Sequence, residues 1–184
     1  MKRTRILSAF ILLILATVLS ASAQNSEKPT AQAPPKRVAP KPLPAELKEF
    51  FSGEWTGAGE FANGKKIEAD VSFSAGLDDQ WLSYRHVDRS PNKYKANGMW
   101  GFDRDSEKFV MVLNDNFGSV RLFVSEGWLN GKIVFQKELL LSDSPVQERF
   151  TFERQSPDTF KMTYESSRDA KTWKLGDYLV FKRK

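Results

Sequence analysis

Apolar and polar residues alternate along most of the chain after residue 52. Between residues 66 and 75, for example, acidic or hydroxyl-bearing residues alternate with Ile67, Ala69, Val71, Phe73 and Ala75. Such period-two alternation puts the apolar side chains on one face of a half-buried strand. The pattern recurs between short turn sequences and predicts ten strands, at residues 54–61, 66–75, 81–88, 96–103, 108–114, 119–126, 132–139, 146–154, 159–166 and 172–182.

A short helix is predicted just before these strands. Leu47, Phe50 and Phe51 have the i, i+3, i+4 spacing of a helical face, and the helix is expected to end by Gly53. Asn-Gly pairs at 63–64 and 130–131 predict tight hairpins. A flat meander of ten strands would leave two unpaired edges, and closure removes them. The sequence therefore predicts an all-β, single antiparallel up-and-down barrel domain at 45–184 with a short N-terminal helix.

The first 44 residues have a different composition. Residues 1–23 have a basic start, an apolar middle and the small-residue sequence Ala21-Ser22-Ala23, which predict a signal peptide with Gln24 as the mature N-terminus. The alternative is a membrane anchor, but the apolar run is short for a span of roughly 20 residues. Residues 24–44 contain six prolines and predict a semi-rigid linker. We expect a periplasmic or secreted protein without stable membrane insertion after cleavage.

Charge and composition exclude several function classes. The signal peptide and linker carry seven of the 28 basic residues but one of the 23 acidic ones, so the remaining domain has a net charge of −1. A neutral domain lacks the positive footprint of nucleic-acid binding. The chain has no cysteine and a single histidine, which is too few for a zinc or haem-type site. We therefore predict no metal, no cofactor and no nucleic-acid partner.

The opening of the first strand resembles that of a known superfamily. Gly53-Glu54-Trp55 is similar to the Gly-x-Trp motif of the calycins, which include the lipocalins and fatty-acid-binding proteins. The resemblance implies that Trp55 closes one end of the barrel and that Arg183, or alternatively Lys182, packs across its ring. Such cation–π contacts contribute roughly 0.5–2 kcal/mol.

Two narrower resemblances extend this one. The string from Gly53 to Gly59 resembles the start of nitrobindin-type haem barrels, but those hold haem through a histidine near the C-terminus, whereas the one histidine here is His86 on the third strand. Four segments, at residues 98–103, 108–110, 125–127 and 130–132, resemble an uncharacterised family of exported, lipocalin-like bacterial proteins, the domain of unknown function 1579. That family implies a fold and a compartment but no activity.

The third predicted strand is the segment best suited to chemistry. Tyr84 and His86 share a face with Leu82 and Asp88 in an extended chain. Inside a barrel they could donate hydrogen bonds to a ligand carbonyl or carboxylate, or move a proton. No nucleophile elbow, phosphate loop or metalloprotease motif accompanies them, so no catalytic residue is assigned.

The apolar residues of the other strands suggest what the barrel holds. They are numerous enough to line an apolar interior, and small inward residues such as Ala69 and Ala75 favour a cavity. We expect a small hydrophobic or amphipathic ligand. The alternatives are an enzyme that uses Tyr84 and His86 for acid–base work, and an envelope interaction module with a filled barrel. The predicted ligand-binding residues are Tyr84, His86, Trp100, Met111, Phe150 and Met162.

Overall fold

The computed structural model describes residues 39, 41–137 and 146–184. Each strand pairs antiparallel with its neighbours in sequence, and the last strand pairs with the first, which closes the barrel. The predicted all-β, up-and-down barrel of ten strands with one short N-terminal helix is confirmed. Its elements are α1 Ala45–Phe51, β1 Gly53–Phe61, β2 Lys66–Gly76, β3 Trp81–Ser90, β4 Lys95–Asp103, β5 Lys108–Asp115, β6 Val120–Ser125, β7 Lys132–Lys137, β8 Gln147–Ser156, β9 Thr159–Ser167 and β10 Lys174–Arg183.

Closure between β1 and β10 depends on two glycines of the opening motif. Gly57 pairs with Phe181 and Gly59 with Leu179. A Cβ atom at Gly57 would lie 2.4 Å from the Phe181 ring, and one at Gly59 would lie 1.7 Å from the carbonyl oxygen of Tyr178. Both distances are far below van der Waals contact, so glycine permits an approach that any side chain would prevent.

Helix α1 covers the end of the barrel where β1 begins and β10 ends, which we call the helix end. Its apolar residues Leu47, Phe50 and Phe51 are buried against the barrel. Trp55 is fully buried and donates from Nε1 to the Phe51 carbonyl at 2.8 Å. The Arg183 guanidinium lies 4.1 Å from the centre of the Trp55 ring and donates to the carbonyls of Ser52 and Phe50, at 2.8 and 2.6 Å. Arg183 thereby ties α1 to the last strand.

Aromatic side chains fill the interior from the helix end to the middle of the barrel. Trp100 is fully buried, and its ring centre lies 4.7 Å from that of Phe152, 4.9 Å from that of Phe135 and 5.1 Å from that of Phe73. Edge-to-face and tilted contacts of this kind add to the stabilisation from burial. The interior at this level is a packed core.

Some element boundaries differ from the sequence predictions. The Asn130-Gly131 turn is a two-residue hairpin with both φ angles positive, at 52° and 77°, as expected. At 63–64 only Gly64 has a positive φ, and the connection is longer, with the Phe61 N–H bonded to the Lys65 carbonyl at 2.9 Å. Strand β10 begins at Lys174, two residues later than predicted.

The predicted signal peptide and most of the predicted linker lie outside the described residues, as do residues 138 and 139 of the seventh predicted strand. At the end of the predicted linker, Leu43 is 6% exposed and belongs to the hydrophobic core. Lys41 lies with its Nζ 5.0 Å from the centre of the Phe102 ring. Within the part of the chain that the structure describes, no helix is both long enough and apolar enough to span a membrane.

Candidate functional site

A cavity of about 220 Å³ lies inside the end of the barrel opposite α1, which we call the cavity end. Its volume equals that of about seven water molecules at roughly 30 Å³ each, and it lies below the 300–1,000 Å³ typical of drug-sized pockets. It therefore suits a compact molecule. The apolar part of its wall consists of Ile67, Met111, Leu113, Phe152, Met162 and Leu179, with Phe61, Phe117 and Phe150 nearer the rim.

Five of the six predicted ligand-binding residues line this cavity. They are Tyr84, His86, Met111, Phe150 and Met162. Trp100 does not line it, because Trp100 lies deeper in the barrel within the aromatic packing around Phe152 and Phe135. The predicted closure residues Trp55 and Arg183 lie at the helix end.

Tyr84, His86 and Asp88 form a continuous hydrogen-bonded chain along the inner face of β3. The Tyr84 hydroxyl lies 2.8 Å from Nδ1 of His86, and Nε2 of His86 lies 2.7 Å from Oδ1 of Asp88. All three residues are buried, with exposures of 4–7%. Alternation in the strand brings them together, because residues two apart point to the same side.

The partners of His86 determine its protonation pattern. An ionised Asp88 carboxylate only accepts, so Nε2 carries the proton and donates to it. The Nδ1 atom has the Tyr84 hydroxyl as its partner. Burial raises the pKa of the Tyr84 hydroxyl well above its ordinary value. Both ring nitrogens are therefore occupied, and neither His86 nor Tyr84 is available as a base toward a ligand.

A second group of charged residues, the charged cluster of Asp115, Arg121, Lys137 and Glu148, lies at the same end of the barrel. Arg121 contacts Asp115 at 3.1 Å and Glu148 at 2.8 Å, and Lys137 contacts Glu148 at 2.8 Å. Burial acts to raise the pKa of Glu148, but hydrogen bonds from Lys137 and Arg121 outweigh it and lower the pKa. The two positive and two negative charges of the cluster balance.

Asp177 on β10 differs from the charged cluster because its charge is not balanced. It lines the cavity, and no hydrogen bond or ion pair reaches its carboxylate from any described residue. Burial raises the pKa of Asp177 to about 6, and repulsion from Asp88 adds to this effect while His86 opposes it. A carboxylate in this position keeps its charge at neutral pH only at a cost in free energy.

The sequence reasoning missed the charged residues of the cavity end other than Asp88. Each of these residues lies two or four positions from a buried residue of its own strand, as Arg121 does from Phe123 and Asp177 from Leu179, and therefore faces inward. The others are Lys137 and Glu148. A charged residue at an inward position was the available signal. Among the described residues, no three His, Cys, Asp or Glu side chains are grouped so that they could hold a metal ion.

The fold and cavity define a small up-and-down β-barrel whose interior is packed at one end and hollow at the other. No family model matches the chain, and no curated protein matches it. The crystal structure of Rv2717c from M. tuberculosis is similar to it, with a TM-score of 0.51 and 14% sequence identity over 77% of this chain and 99% of that one. A de novo designed fluorescence-activating β-barrel matches with a TM-score of 0.42 and 12% identity over 77% of this chain and 100% of that one. The likeness to Rv2717c concerns the fold.

Proposed function

We propose that this protein binds a compact amphipathic molecule in the cavity at the cavity end of the barrel. The proposal rests on the difference in packing between the two ends of the barrel interior. Aromatic side chains pack the helix end, whereas about 220 Å³ remains open at the other end. Apolar residues and a few convergent polar groups share its wall, which is the composition of small-molecule sites.

Catalysis is less well supported by the same geometry. The acid–base alternative needs Tyr84 or His86 to exchange a proton with a ligand. Both nitrogens of His86 already have partners, and the pKa of Tyr84 is raised by burial. The chain of three residues instead presents a fixed polar group, the Tyr84 hydroxyl, to whatever enters the cavity.

The proposal includes export to the periplasm or the cell exterior. Its support is the basic, apolar and small-residue order of residues 1–23, followed by the proline-rich segment at 24–44. The resemblance to exported lipocalin-like bacterial proteins favours the same compartment. A binding domain there would meet small molecules before they reach the cytoplasm.

A cavity-filling variant tests the binding function. Isothermal titration of the domain with 2-phenylethanol, a compact neutral amphiphile, is expected to show one site per chain. Met162→Trp puts an indole into the cavity and should abolish binding while unfolding remains cooperative. Thr163→Trp is the matched control, because it adds the same ring to the next residue of β9, on the opposite face of the strand. Absence of binding to the unmodified domain, or binding retained by Met162→Trp, would favour the filled-barrel interaction module.

A further inference from the structure

The ionisable groups that line the cavity leave an excess of negative charge. Arg121 is neutralised by Asp115 and Glu148, and Glu148 is also paired with Lys137. What remains are the carboxylates of Asp88 and Asp177, with the imidazole of His86 bonded to Asp88.

Both carboxylates keep unpaired acceptor atoms. Asp88 is 7% exposed and uses Oδ1 for His86, but no described residue donates to its Oδ2. Asp177 has no donor on either oxygen among the described residues. These oxygens are not among the enclosed unpartnered atoms of the described residues, and both residues line the cavity, so a ligand there can donate to them.

The rest of the wall suits the apolar body of a ligand that carries such a donor. The rings of Phe150 and Tyr164 lie with their centres 4.9 Å apart, and Tyr94 and Phe117 lie with theirs 6.0 Å apart. All four residues line the cavity, and faces of this kind attract a cation as well as apolar atoms.

We propose that the cavity is specific for a compact organic cation, a primary or secondary ammonium on an aromatic or aliphatic body, whose nitrogen donates to Asp177 and to Oδ2 of Asp88. This assignment rests on the proposed binding function and adds the charge of the ligand to it. A carboxylate ligand would be repelled by the two acidic groups, Asp88 and Asp177. Among the described residues, Arg121 is the one arginine or lysine on the wall, and its Nη1 and Nη2 atoms already have two carboxylates and the Tyr94 hydroxyl as partners.

Three probes that differ only in their terminal group test the proposal. They are 2-phenylethylamine, 2-phenylethanol and phenylacetate, each titrated into the full domain at pH 7.5. A hydrogen bond to a charged group favours the amine over the alcohol by about ten- to hundredfold. Phenylacetate should bind more weakly than the alcohol.

Variants then locate the charge recognition. Asp177→Asn and Asp88→Asn should reduce the affinity for the amine toward that for the alcohol and leave the affinity for the alcohol unchanged. Asp105→Asn is the control, because Asp105 lies in the β4–β5 turn at the helix end with its side chain 86% exposed. Tight binding of phenylacetate, or an amine preference that survives in Asp177→Asn, would overturn the proposal.

The pH dependence gives an independent measurement. With the pKa of Asp177 at about 6 in the free protein, lowering the pH from 7.5 to 5 should weaken amine binding by about tenfold, because protonation removes the acceptor charge. The alcohol should show no such change. The titratable and charged groups that face or surround Asp177 in the cavity are Tyr84, His86, Asp88, Tyr94, Arg121 and Tyr164.

The outcomes separate the two proposals. If the alcohol binds and Met162→Trp abolishes its binding, but the amine binds no better, the cavity binds ligands without selecting a cation. If none of the three probes binds, the binding function itself fails.

Discussion

Replacing Asp177 by asparagine should stabilise the folded domain at neutral pH and have little effect near pH 4. Asparagine has nearly the same shape as aspartate but carries no charge. The pKa of Asp177 is raised to about 6 in the folded protein, first by burial and then by Asp88. In the unfolded chain the carboxyl ionises at its ordinary, lower pKa, so folding must carry an ionised group into an unfavourable site.

The size of the effect follows from the two pKa values. The interval between the ordinary value of 3.8 and about 6, at about 1.36 kcal/mol per pH unit, corresponds to about 3 kcal/mol at pH 7.5. Asp177 is partly exposed to the cavity, and solvent screening reduces this figure, so we expect about 1–3 kcal/mol. The sign is fixed by proton binding. Between pH 4 and 6 the folded state holds more protons than the unfolded state, so stability falls as the pH rises and levels off above pH 7.

Urea unfolding of both proteins at pH 4.5 and 7.5 measures this difference. At pH 7.5 the free energy of unfolding should be higher for Asp177→Asn than for the unmodified domain. At pH 4.5 the difference between the two proteins should be much smaller. The control Asp105→Asn, at an exposed turn, should have a free energy of unfolding within about 0.5 kcal/mol of that of the unmodified domain at both pH values. A variant that is less stable at pH 7.5, or a gap that does not change with pH, would show that Asp177 is not a strained carboxylate.

Two further predictions concern the closure of the barrel. Trp55→Ala should lower the free energy of unfolding by about 3–5 kcal/mol, because it removes a fully buried side chain and its contact with Arg183; a loss below about 1 kcal/mol in urea would contradict a role in packing. Gly59→Ala should cost at least about 2 kcal/mol in the same assay, since its Cβ would overlap the Tyr178 backbone. Gly76→Ala, with open space around its Cβ, should be nearly neutral and serves as the control.

The fold could be predicted because alternation reports burial directly. At β2 the residues Ile67, Ala69, Val71 and Phe73 are all buried, as the period-two pattern required. Ala75 was also expected to face inward, but it is exposed, and neither Ala69 nor Ala75 lines the cavity. Boundaries were less accurate, because a strand ends where its hydrogen-bond ladder ends and not where its apolar residues stop. Strand β3 continues to Ser90, two residues past its predicted end at Asp88.

The candidate site could be predicted in part. The period-two alternation identified Tyr84 and His86 as inward-facing, but it does not tell how far along the barrel axis a residue lies. Trp100 faces inward as well, but its ring packs against Phe135 and Phe152 below the cavity, which the alternation of β4 does not show. Asp177 was harder to find. Residues two apart in a strand normally face the same side, but a bulge between Leu175 and Asp177 breaks the alternation. Leu175 is therefore 42% exposed, whereas Asp177 faces the cavity.

A single pH titration of stability tests both the strain at Asp177 and its contact with a bound cation. If an ammonium ion binds the ionised form of Asp177, saturation with 2-phenylethylamine lowers the pKa of this carboxyl and supplies its missing partner. The loss of stability between pH 5 and 7.5 should therefore disappear in the amine complex, whereas it persists with 2-phenylethanol. In Asp177→Asn neither ligand should change the pH dependence. If the amine stabilises both proteins equally across this pH range, the cation is bound elsewhere, and the strain at Asp177 has no part in recognition.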